Sequence, residues 1–117
     1  MPNNFDHERR KQQRLRKLGS QTPQCTVCGE NHWECLELHH IEGQAYGSTL
    51  AIVCTNCHAR LSVQQYGHPQ ATAGSDVELT TLARLLSGIA DLLELVVEKI
   101  RDAASTLVSR ASCQVEA

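Results

Sequence analysis

The stretch STLAIVCTNCHARLSVQQY, residues 48–66, changes character twice. It opens as an apolar run that reads as a strand, passes through a CxxC pair at Cys54 and Cys57, and then meets no helix breaker before Gly67. Strand, knuckle and helix in this order make a metal-pinned corner. The partner of that corner stands upstream, where CTVC at residues 25–28 is a second CxxC pair, separated from the first by 25 residues. Each knuckle brings two thiolates to one ion with little loop strain, and two knuckles complete the tetrahedral sulfur shell that Zn2+ accepts. Cys25, Cys28, Cys54 and Cys57 are therefore expected to hold a structural zinc, in preference to a redox dithiol, because two such pairs in one short chain seldom serve as an oxidoreductase. Of the two remaining cysteines, Cys35 reads as a small core residue and Cys113 as incidental.

Between the knuckles, WECLELHHI at residues 33–41 alternates with period two, placing Cys35, Glu37 and His39 on one face and Leu36, Leu38 and His40 on the other. A turn comes next, between Gly43 and Gly47. Two strands and a helix pinned by a metal bring residue 39 or 40 near residue 58. The expected fold is α+β, a small ββα-metal zinc domain of treble-clef type followed by a long amphipathic C-terminal helix.

These residues resemble the HNH family of endonucleases, in the zinc-stapled subset that runs CxxC, HH plus an apolar residue, an apolar strand, then CxxCH. Here those are Cys25 to Cys28, His39-His40-Ile41, Leu50 to Val53, and Cys54-Thr55-Asn56-Cys57-His58, covering about residues 25–62. The resemblance implies metal-dependent hydrolysis of phosphodiester bonds in DNA. It makes His39 and His58 ligands of a catalytic divalent ion, Mg2+ or another, and His40 the general base that takes a proton from the attacking water. Two positions depart from the family pattern. Thr49 stands where an Asn usually ties down the loop carrying the base, and Ser62 stands where many members have another histidine. Thr49 is expected to do the tying with its hydroxyl, and His68, in GHP after the helix, is a candidate replacement ligand. The alternative reading is a catalytically silent zinc module that binds nucleic acid or a protein partner.

Charge is unevenly laid out. Residues 1–24 carry six of the eleven Lys and Arg, whereas the rest of the chain is acidic and the total formal charge is -2. Arg9, Arg10, Lys11, Arg14, Arg16 and Lys17 form a basic arm, residues 1–23, suited to phosphate contact without base reading. Within it residues 6–18 form a short helix, with Asp6 as N-cap and Gly19 as C-cap, offering only Leu15 and Leu18 as apolar contacts. The zinc domain occupies residues 24–68, and PQATAGSD at 69–76 is a linker whose Asp76 can cap the next helix. Over residues 77–110 apolar positions alternate in steps of three and four: Leu79, Leu82, Leu86, Ile89, Leu93, Val96, Ile100, Ala103, Leu107, flanked by Leu85, Leu92, Val97 and Ala104. Such a seam is expected to assemble copies of the chain as a coiled coil, with a helix folded back over the zinc domain as the competing arrangement. Residues 111–117 read as a tail. The first residues lack a secretory leader pattern and Arg84, Asp91 and Glu94 interrupt the most apolar stretch, so a cytoplasmic protein without a membrane span is expected. With four Phe, Trp and Tyr residues in all, the core must be sparse, which raises the value of a metal staple.

Overall fold

The computed structural model describes residues 4–116, with side chains through residue 113. Helix α1 (Asn4–Leu18) leads through a loop and a 3-10 turn (Trp33–Cys35) into strand β1 (Leu36–His40). Strand β2 (Leu50–Cys54), helix α2 (Thr55–Gln65) and helix α3 (Val77–Glu116) complete the chain order. The architecture is a two-stranded sheet with helices, a cysteine cluster and a long C-terminal helix, as the α+β expectation requires.

The hairpin is antiparallel and its register sets everything else: Leu36 lies opposite Cys54, and His39 and His40 lie opposite Ala51 and Leu50 at the turn end. Cys54 is at once the end of β2 and the N-cap of α2, its sulfur accepting from the Cys57 N–H at 3.4 Å. That cap reverses the chain, and α2 runs back beside β1. Thr55 donates to the Cys35 carbonyl at 3.2 Å, His58 reaches Glu37 at 2.5 Å, and Gln65 reaches the His40 carbonyl at 2.7 Å. Leu36, Val53 and Leu61 are fully buried where the three elements meet. Each contributes about 1.5–3 kcal/mol by leaving water.

Three elements differ from expectation. The basic segment holds the expected helix, but it is docked more firmly than two apolar contacts foretell: α1 buries Leu15 and Leu18, and the Arg14 guanidinium donates to the Leu36 carbonyl. Its Gly19 N–H closes the helix on the Leu15 carbonyl at 2.9 Å, while α1 already includes Asn4, so Asp6 lies inside the first turn. Cys35 is exposed, because residues 33–35 coil into the 3-10 turn and β1 starts only at Leu36. The last helix runs to Glu116, through most of the segment read as a tail.

α3 starts at the cap that the sequence offers, with the Asp76 carboxylate accepting from the Leu79 N–H at 3.0 Å. It then folds back over the domain, mainly by residues beside its heptad seam. Leu92 and Leu95 enter the core and Leu85 and Val96 pack against it, together with buried Arg84, whereas Leu79, Leu82, Leu86, Ile89, Leu93, Ile100 and Leu107 remain exposed. The flank of the stripe, joined by Val96, serves the domain, and the rest of the stripe faces outward. Close approach is possible because residue 88 is glycine: a Cβ there would stand 2.1 Å from the Ile41 carbonyl oxygen. Among the described residues no helix is long and apolar enough to cross a membrane.

Candidate metal centre and histidine cleft

The four cysteines at 25, 28, 54 and 57 converge, with one sulfur from each within 4.8 Å of the others. The Cys28 and Cys54 sulfurs are 3.7 Å apart, close to the roughly 3.8 Å edge of a tetrahedron with metal–sulfur bonds of about 2.3 Å. The first knuckle is built like the second: the Cys28 N–H points at the Cys25 sulfur at 3.5 Å, and Thr26 fastens it to β2 through the Ile52 carbonyl at 2.8 Å. Burial opposes charge on Cys25, but main-chain groups of Cys28, Cys54 and Val27 outweigh it and bring that thiol down to about 7. Burial, with the neighbouring cysteines 54 and 25, pushes Cys57 upward instead. Four thiolates cannot share this space without a cation among them, so the donor set fits a structural zinc.

The histidines form a second centre that starts beside the first, because His58 follows Cys57 in the first turn of α2. His39 is 2% exposed, and its ring meets that of His58 edge to face with centroids 5.4 Å apart. Burial, then the proximity of His58 and His40, pushes the His39 imidazole down to about 4, so it stays neutral and able to ligate at neutral pH. Glu37, two residues before His39 on the same strand face, accepts from or shares a proton with His58 Nδ1 at 2.5 Å. His40, on the opposite strand face, opens into a cleft of about 540 Å3 that it shares with Glu37, His58 and Gln44. The adjacent histidines thus have different surroundings, one sealed and one open.

Arg14 and Lys17 of α1 complete the wall of that cleft. With Arg10 they make a row at helical spacing, since the same three residues line the next groove beside Trp33 and Glu34. Arg9 and Arg16 are turned elsewhere, Arg9 to Asp6 at 3.7 Å and Arg16 to the Gln12 carbonyl at 3.3 Å. Lys11 lines a separate groove with Leu15 and Asn31.

Thr49 ties the loop through its main chain, its carbonyl accepting from the Ile41 N–H at 2.9 Å and its N–H donating to the Glu42 carboxylate at 2.7 Å. The side chain that does the tying is Glu42, which is 2% exposed, and the Thr49 side chain lies at the surface. Ser62 faces the loop residues Gly43 to Tyr46. His68 turns inward, with Nε2 on the Asp91 carboxylate of α3 at 2.5 Å and a buried Nδ1 that has no protein partner. Among the described residues the cysteines are the one group of three or more such donors that closes within 4.8 Å, so His68 does not complete a set with His39 and His58. Glu37, Glu42, Gln65 and Arg84 belong to no motif, and no local spacing marks them, since their partners lie 7 to 42 residues away. Comparison with models of protein families, with curated proteins and with solved structures finds no match.

Proposed function

We propose that this protein is a metal-dependent endonuclease that hydrolyses phosphodiester bonds in DNA, as its resemblance to the HNH family implies. The observation that carries the reading is the joint cleft, lined by His40, His58 and Glu37 of β1 and α2 and by Arg14 and Lys17 of α1. A polyanion in it would meet two cations as well as the imidazoles. His39 and His58, with rings 5.4 Å apart, offer two imidazole nitrogens that with waters would suit Mn2+, Ni2+ or Mg2+, and Glu37 pairs with His58 Nδ1 and so would orient that ring. An ion held there supplies charge stabilisation at the phosphate and the leaving oxygen. The chain does the rest. Arg14 and Lys17 draw and orient the backbone, and His40 takes a proton from the water that bonds to phosphorus as the bond from phosphorus to the leaving sugar oxygen breaks; that oxygen takes a proton from solvent and His40 returns its own to solvent.

Supercoiled plasmid incubated with the full chain and Mg2+, Mn2+ or Ni2+ is expected to be nicked. Binding without cleavage under every ion would favour the silent zinc module, a reading supported by Ser62 and by the open donor set. Lys17→Gln is expected to weaken DNA affinity and to reduce the magnitude of the log K against log salt slope by about 0.9, one phosphate contact. An unchanged slope would remove Lys17 from the DNA path.

The outer face of α3 is read as the contact with a second copy. Residues 97–113 are exposed throughout, yet a free helical segment of this length is marginal in water. The exposed Leu79, Leu82, Leu86, Ile89 and Leu93 keep a three-four step and Ile100 and Leu107 continue it at seven-residue intervals, beside small Ala90 and Ala104. Light scattering is expected to give a dimer or larger assembly that Leu86→Asp/Leu93→Asp dissociates. A wild-type monomer would refute it.

A further inference from the structure

We propose that Glu42 and Arg84 are positioning residues for His40, so that docking of α3 sets the loop just after the base; the proposal rests on the nuclease reading. The chain leaves β1 at His40 and re-enters the sheet at Leu50, and of the span between, Ile41 and Thr49 continue the pairing by one hydrogen bond, from the Ile41 N–H to the Thr49 carbonyl. The span is also fixed from two helices. Gln65 of α2 donates to the His40 carbonyl at 2.7 Å, and the α3 backbone lies on Ile41 at Gly88. The next residue is held at both ends: the Glu42 carbonyl accepts from Arg84 Nε at 2.7 Å, and its carboxylate accepts from the Thr49 N–H at 2.7 Å.

Arg84 is only 6% exposed, and its remaining groups serve the same loop and its surroundings. Nη1 donates to the Pro69 carbonyl at 2.7 Å, and the guanidinium lies 4.1 Å from the centre of the Tyr46 ring. Gly43 turns with φ +97°, and a Cβ there would stand 2.7 Å from Arg84 Nη2. The Glu42 carboxyl likewise occupies the space beside Gly47, where a Cβ would come within 2.8 Å of it. Two charged side chains are thus buried to organise one short span, an arrangement that an apolar plug would replace if packing were its only purpose. What the span carries is the main chain leaving His40. A general base misplaced by about 1 Å loses on the order of 100-fold in rate, so a brace at this point acts on catalysis.

The test uses the full chain, zinc-loaded, with Glu42→Ala and Glu42→Gln. E42A is expected to lower kcat for plasmid nicking about 10- to 100-fold with KM and zinc content little changed. E42Q, whose side-chain oxygen still accepts from the Thr49 N–H, is expected to recover most of that loss. A purely structural role would lower the folded fraction and leave kcat per zinc-loaded molecule at the wild-type value, and that result overturns the proposal. Amide exchange at Ile41, whose N–H the substitution does not touch directly, is read on the same samples. It is expected to quicken about tenfold in E42A while β2 stays protected. Should the wild type cut no nucleic acid, the nuclease reading fails and the exchange comparison decides the brace, unchanged protection at Ile41 overturning it.

Discussion

Cys54→Ser is expected to abolish zinc binding and unfold the domain. Cys54 ends β2, caps α2 through its sulfur, and stands 3.7 Å from the Cys28 sulfur across the cluster. A serine can cap the helix, so the loss isolates the metal contribution. That contribution is large: structural zinc binding at neutral pH amounts to about 10–16 kcal/mol in small fingers, against about 5–15 kcal/mol for the whole stability of a typical domain. A core centred on Leu36, Val53 and Leu61, with few aromatic residues in the chain, has little to offset it. Metal analysis and far-UV circular dichroism check this outcome. A zinc-free C54S protein with the wild-type spectrum and thermal transition would contradict the structural role of the cluster.

His40→Ala is expected to reduce Mg2+-dependent nicking by about 100- to 10,000-fold, the usual share of a positioned general base. Its effect on folding should be small. His40 is half-buried at the rim of the cleft, and the hydrogen bond that anchors the loop here uses its carbonyl, which alanine keeps. His39 differs in kind, being sealed beneath α2, so its replacement is expected to disturb packing as well as metal binding. Retention of full activity by H40A would transfer the base role to another group and void the assignment.

Much of the fold is legible in the sequence because its signals are local. The two CxxC spacings, the apolar run into Cys54, the breaker-free helix after it and the Asp76 cap each depend on residues within a turn or a strand of one another, and the structure contains all of them. What is not legible is tertiary. The heptad pattern of α3 identifies an amphipathic helix, yet it cannot say that Leu92 and Leu95 meet the domain while Leu86 and Leu93 face outward. Two apolar residues in α1 give no warning that it docks, because an arginine reaching a strand carbonyl has no periodicity. Period two places Cys35 on a strand, but the chain is still coiled there.

The site divides in the same way. His39, His40 and His58 are marked by position, and the structure sets His39 against His58 and opens His40 and His58 into one cleft. Glu37 and Glu42 are hidden because a carboxylate in an acidic chain carries no signature until its partner is known. Thr49 belongs to the right loop but acts through another atom, its backbone doing what its hydroxyl was expected to do.

The most direct measurement is a time course of supercoiled plasmid with zinc-loaded wild-type chain and with H40A at equal zinc content, each with and without added Mg2+. The expected result is nicked product from wild type with Mg2+ and none above background from the other three reactions. Equal nicking by both proteins, or none by wild type under any divalent ion, would contradict the assignment of His40 as the base of a metal-dependent nuclease.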